Sequence, residues 1–160
     1  MNILLVCTGN TCRSSMAEGI FKQLLKDSDI ENINVSSAGI SAFEGDNANE
    51  KAIYTLNKKG IELVNHRARQ LTKNIINESE LILTMTISHK RMIINVAPEH
   101  SNKVYTLKEF VYIINNEDAN GKNLDIADPY GLDYNEYEKC AIEIEEQLRK
   151  IINNIDKITI

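Results

Sequence analysis

The sequence predicts a three-layer α/β fold: a four-stranded parallel sheet flanked by helices. Three observations carry this. Four short apolar runs are bounded by turn residues, amphipathic helical periodicity falls between them, and no internal repeat or linker divides the 160 residues. Strands that alternate with helices pair in parallel, because the crossover helices cover both faces of the sheet. The length suits one domain, residues 1–160, that buries about 70% of its unfolded surface.

The elements follow in order. Asn2–Cys7 is a continuous apolar run and reads as a strand buried on both faces. From Ser14 the period changes. Met16, Ile20 and Leu24 recur at spacing four, as do Ala17, Phe21 and Leu25, which gives an amphipathic helix to about Lys26. Ser15 with Glu18 reads as its capping box. Residues 33–37 form a second strand that ends at Ala38-Gly39, and 49–59 form a helix stopped by Gly60. Residues 81–85 are a third strand, 88–96 a helix closed by Pro98, and 104–107 a fourth strand. The stretch 115–131 is polar and irregular. The last helix spans 133–155, and Cys140 lies on its apolar stripe as a core residue.

Composition narrows the function classes. Hydrophobic residues at 42% and charged residues at 26% exclude a disordered or fibrous chain. Lys and Arg total 18 against 23 Asp and Glu, a net charge of −5 without a basic block, which argues against nucleic-acid and anionic-membrane partners. No apolar run approaches the roughly 18 residues of a membrane span. The apolar start, Met1 to Val6, lacks a basic region before it and meets polar residues at once, so a cytoplasmic protein is expected. Three cysteines suggest no disulfide framework. His89 and His100 show no metal spacing and read as surface residues, so no metal and no cofactor are expected.

Chemistry concentrates in Cys7-Thr-Gly-Asn-Thr-Cys-Arg-Ser14. A Cys followed six positions later by Arg is a weak motif by itself; its place between an apolar strand and a helix start gives it meaning. Such a loop can wrap its backbone N–H groups around an anion. Amides from Thr8 through Gly9, Asn10, Thr11 and Cys12 to Ser14 would bind a phosphate, and Arg13 would add a bidentate contact. The same positive field favours the Cys7 thiolate beneath the phosphorus, placed for in-line attack and a phosphocysteine intermediate. Gly9 permits the tight turn. Asn10 holds the loop's conformation, and Ser14 caps the helix or donates to the Cys7 sulfur. Cys7 and Cys12 read either as small core residues or as a reactive pair whose disulfide would shield Cys7 from overoxidation.

This loop, followed by Met16-Ala17-Glu18, resembles the phosphate-binding loop of the low-molecular-weight protein tyrosine phosphatases, and the similarity spans the chain. That resemblance implies a flavodoxin-like fold. It also implies that Ser37, in Ser36-Ser37-Ala38-Gly39, supports Asn10, and that His66, in His66-Arg67-Ala68-Arg69-Gln70, braces the loop. Asp128-Pro129-Tyr130-Gly131 matches the family's general-acid loop. From chemistry alone, a carboxylic acid must protonate the leaving group and then activate water. Asp125 has an equal naive claim, and the resemblance ranks Asp128 first. Tyr130 reads either as an apolar wall of the substrate cleft or as a half-buried loop aromatic.

Thr11 departs from the aliphatic residue usual in the tyrosine phosphatases and resembles the bacterial protein arginine phosphatases; Gly131 points the same way. A hydroxyl there can hydrogen-bond near a P–N centre, where an aliphatic side chain leaves polar groups unpaired. The resemblance thus implies a phosphoprotein substrate, phosphoarginine before phosphotyrosine. Arsenate reductases use a similar loop but need two further cysteines near the third strand, and residues 80–92 contain none. A non-catalytic phosphate-reading module would need neither Cys7 nor Asp128. The oligomeric state is left open.

Overall fold

The computed structural model describes residues 1–158. Four parallel strands, β1 (Asn2–Cys7), β2 (Asn34–Gly39), β3 (Leu81–Thr84) and β4 (Val104–Thr106), lie in the order β2-β1-β3-β4. β1 is central, with Cys7 opposite Gly39 on β2 and Val6 opposite Thr84 on β3. Its alternation sorts the core into two layers. Ile3 and Leu5 face α1 (Arg13–Asp27), α2 (Glu50–Asn57), α5 (Leu107–Ile114) and α6 (Tyr134–Ile152). Leu4 and Val6 face α3 (Lys73–Glu78) and α4 (Ile87–Val96). Among the described residues no helix is long and apolar enough to cross a membrane.

Several boundaries differ from the sequence reading. The helix after β1 starts at Arg13, not Ser14, and Ser15 and Glu18 form no capping box: Ser15 Oγ donates to the Cys12 carbonyl at 2.9 Å, and the Glu18 carboxylate accepts from Ser37. β2 runs to Gly39 because that residue still pairs with Cys7. α3, capped by Thr72, is too short to show a period. The fourth strand stops at Thr106. There the Thr106 side chain and Glu109 form a capping box, and the β-branched, aromatic run that follows coils into α5. The last helix begins at Tyr134, with Asp133 accepting from Glu136 N at 3.1 Å, and ends at Ile152. Cys140 is buried on it, and desolvation pushes its thiol up to about 12.

Gly39 positions the site. A Cβ added there would sit 2.5 Å from the Thr8 carbonyl oxygen and 3.0 Å from Asn10 N. The loop after β1 therefore lies directly on the end of β2, and only a residue without a side chain permits this. Gly39→Ala should lower unfolding free energy by about 1–3 kcal/mol, the cost of overpacking a site whose neighbours are backbone. Urea denaturation measures it; a change under about 0.5 kcal/mol would show that the loop can move away.

Candidate active site

The loop from Cys7 to Ser14 joins the carboxyl end of the central strand to the start of α1, where ligands of open α/β sheets bind. Its turn is made at Asn10, whose φ of 58° is left-handed; Gly9, the expected turn residue, is not left-handed. The buried Asn10 side chain uses all its polar groups. Nδ2 donates to Ser14 Oγ and Ser37 Oγ, both at 2.8 Å, and Oδ1 accepts from Arg69 N at 2.9 Å. Since both hydroxyl oxygens accept from Asn10, their protons point onward. Ser37 donates to the Glu18 carboxylate, and Ser14 Oγ lies 2.9 Å from Cys7 Sγ, where it can donate to a thiolate.

The remaining braces come from the segment after α2. His66 Nε2 is 2.7 Å from the Asn10 carbonyl, and its Nδ1 is 3.9 Å from Glu18. Arg69 donates to the Ser37 carbonyl at 3.2 Å and to Ser36 Oγ at 3.1 Å. Asn10, Ser14, Ser37 and His66 thus meet in one network. Glu18 and Arg69 complete it without having been anticipated. The Ser15-to-Glu18 spacing gave Glu18 a capping role, and Arg69 acts partly through its backbone N–H, which leaves no mark in a sequence.

Arg13 is 5% exposed. Its guanidinium donates to the Ile126 carbonyl at 3.0 Å and faces Asp128 Oδ2 at 3.3 Å, while its Nε has no partner among the described residues. A buried cation with an unsatisfied N–H next to a cleft is suited to an incoming anion. Asp128 Oδ1 accepts from Tyr130 N at 3.1 Å, which fixes the carboxylate's direction over the site. The rival, Asp125, accepts from Ile87 N at 2.8 Å and serves the first turn of α4 instead. Of the two acids, Asp128 lines the cleft that holds Cys7 and Asp125 does not.

Cys7, Thr8, Gly9, Thr11, Cys12 and Arg13 line a cleft of about 370 Å³. Asp46 and Asp128 stand at its rim, and Phe43 and Tyr130, 79% and 70% exposed, form its aromatic walls. The buried Cys12 thiol lies 3.2 Å from the Tyr137 hydroxyl, and burial pushes both groups up, so Cys12 stays protonated. Cys7 and Cys12 are free thiols. His89 was expected at the surface. It is instead 5% exposed, with Nε2 2.9 Å from Thr8 Oγ1, because it lies on the inner face of the first turn of α4. His100 is half-buried against Asn77 at 2.6 Å. A larger cavity of about 610 Å³ lies between α2 and α6. Its Lys58 and Lys59 are paired with Glu138 and Glu145 at 3.8 and 2.8 Å, which leaves no lysine charge there unpaired. No group of three metal-ligating side chains occurs among the described residues.

Asn10→Ala removes three hydrogen bonds and leaves Ala in a left-handed turn. The expected loss is roughly 3 kcal/mol of stability in urea denaturation. A loss below about 1 kcal/mol would mean that the network does not hold the loop.

The low molecular weight phosphotyrosine protein phosphatase family matches residues 2–159. The chain is 38% identical to a protein-arginine-phosphatase of Bacillus subtilis (strain 168), over 98% of both chains. A YwlE arginine phosphatase mutant with a phosphorylated active-site serine superimposes with a TM-score of 0.88, at 37% identity over 98% of this chain and 97% of that one. A low molecular weight protein tyrosine phosphatase from T. tengcongensis gives 0.85, at 40% identity over 96% and 98%. With the fold, the loop and nearly the whole length in agreement, the chain belongs to the low molecular weight phosphotyrosine protein phosphatase family.

Proposed function

We propose that this chain is a cytoplasmic protein phosphatase, acting as a single domain, that removes phosphate from phosphoarginine side chains through a phosphocysteine intermediate. The observation that carries the reading is one cleft lined by Cys7, by Arg13 with its Nε unpartnered among the described residues, and by Asp128.

The phosphoryl group sits on the loop amides, and Arg13 turns its fork, including Nε, to two of its oxygens. The Cys7 thiolate, held by Ser14, attacks phosphorus; an S–P bond forms as the P–N bond breaks. Asp128, as the acid, gives its proton to the departing guanidine nitrogen. The resulting carboxylate takes a proton from water, whose oxygen attacks phosphorus. Inorganic phosphate leaves and the thiolate is restored. Besides water, every group these steps use is a side chain or backbone amide of this chain.

The substrate assignment rests on the cleft and the relatives. Phosphoarginine presents a planar group with N–H donors beside phosphorus. The Thr11 hydroxyl, whose one hydrogen-bonding contact among the described residues is a long 3.8 Å approach to Cys12 Sγ, and the Asp46 carboxylate line the cleft as acceptors. Phe43 and Tyr130 offer faces on which a guanidinium stacks. The Bacillus subtilis relative is named for phosphoarginine. Phosphotyrosine is the second reading, since the same aromatic walls accept a phenol ring and the T. tengcongensis relative is named a tyrosine phosphatase.

Two measurements test the proposal. Asp128→Asn should slow phosphoarginine peptides about 10²-fold or more, and p-nitrophenyl phosphate, whose leaving group needs little protonation, far less. Equal losses across a leaving-group series would remove Asp128 from the acid role. Thr11→Ile should lower kcat/KM for phosphoarginine and raise it for phosphotyrosine, shifting their ratio by about tenfold or more, while inhibition by free phosphate stays near its original value. An unchanged ratio, or a wild type that prefers phosphotyrosine, would favour the second reading.

A further inference from the structure

One buried imidazole touches the phosphate loop and takes no part in the steps above. His89 lies in the first turn of α4, where its backbone N–H donates to Thr86 Oγ1 at 3.1 Å. Its Nε2 meets Thr8 Oγ1 at 2.9 Å, and its buried Nδ1 has no partner among the described residues. Leaving a ring nitrogen unsatisfied is costly, so the contact made by the other nitrogen has to be worth keeping. Burial and the Arg13 charge hold His89 down at about 4, against opposing effects of Asp128 and Asp125. The ring is thus a neutral hydrogen-bonding group at working pH.

Thr8 follows Cys7 directly and lines the cleft. Its carbonyl accepts from Ser41 N at 2.9 Å, so the residue is pinned on the β2 side through its backbone and on the α4 side through its hydroxyl. The same end of α4 anchors the acid loop. Ile87 N donates to Asp125 at 2.8 Å, and just before the helix the Met85 carbonyl accepts from Ile126 N at 2.8 Å. Ile126 in turn accepts from Arg13.

We propose that His89 is a positioning residue: acting through the Thr8 hydroxyl, it registers the loop of Cys7 to the helix end that also holds the loop of Asp128. Nucleophile and acid then keep a fixed separation because both are referred to one rigid element. The inference rests on the reading of Cys7 and Asp128 as nucleophile and acid. It differs from a packing role for His89 because only one ring atom should matter.

Two near-isosteric variants separate those roles. Gln carries a side-chain amide nitrogen as far out as Nε2; Asn carries one only as far as Nδ1, which makes no hydrogen bond among the described residues. His89→Asn should lower kcat by about tenfold or more, while the inhibition constant of inorganic phosphate changes less than about threefold. His89→Gln should restore kcat to within about threefold of wild type. Thr8→Val should reproduce the loss seen in His89→Asn, and in that background Gln and Asn at position 89 should be equivalent. Equal activity of His89→Gln and His89→Asn with Thr8 present, or additive losses in the double variants, would overturn the proposal. If neither His89 variant folds, Thr8→Val decides alone: an unchanged kcat overturns it and a loss of the stated size supports it. A wild type without Cys7-dependent turnover of either phosphopeptide or of p-nitrophenyl phosphate would refute the phosphatase reading itself, and this inference with it.

Discussion

A loop that binds an anion through its backbone N–H groups must turn its carbonyls outward, and each of those needs a donor. That constraint organises the whole site. The Cys7 carbonyl accepts from Ile40 N and the Thr8 carbonyl from Ser41 N, both at 2.9 Å. The Asn10 carbonyl is met by His66 at 2.7 Å, and the Thr11 carbonyl accepts from Asn49 N at 2.9 Å. The Cys12 carbonyl takes Met16 N at 3.0 Å and Ser15 Oγ at 2.9 Å. The donors come from the chain after β2, the segment after α2, the N-cap of α2 and the first turns of α1. Distant parts of the sequence are therefore held in place by the same eight residues.

Preorganisation follows from this pairing. A free loop with a left-handed Asn10 would collapse to satisfy its own carbonyls, and each phosphate bound would then have to reopen it. Here Asn10 donates to both Ser14 Oγ and Ser37 Oγ, and this holds the Ser14 hydroxyl 2.9 Å from the Cys7 sulfur, within reach to donate to a thiolate. The buried Arg13 guanidinium already faces the cleft, paired at 3.3 Å with an Asp128 carboxylate that is half exposed.

The sequence made some of this legible and hid the rest for physical reasons. The apolar run ending at Cys7 and the period-four pattern from Met16 located the loop, because strand and helix leave periodic marks. Ser37, His66 and Asp128 were reachable only through family resemblance, since their contacts cross long stretches of chain. His89 was misplaced at the surface because its burial depends on how α4 docks, not on local composition. Glu18 and Arg69 act on groups that look ordinary in one dimension: a helix-face carboxylate and a backbone N–H. α5 was missed because Leu107–Ile114 has strand-like residues, and its helix depends on the Thr106 and Glu109 capping box.

The central claim is that the preformed cradle presents phosphate to the Cys7 sulfur, which takes the phosphoryl group. Rapid acid quench of the wild-type enzyme during turnover of a phosphoarginine peptide, followed by peptide mapping, tests this most directly. The account predicts a phosphoryl adduct on the peptide containing Cys7, formed at a rate no slower than turnover. An adduct on any other residue, or steady turnover with no phosphoenzyme at early times and no release-phase burst, would contradict it.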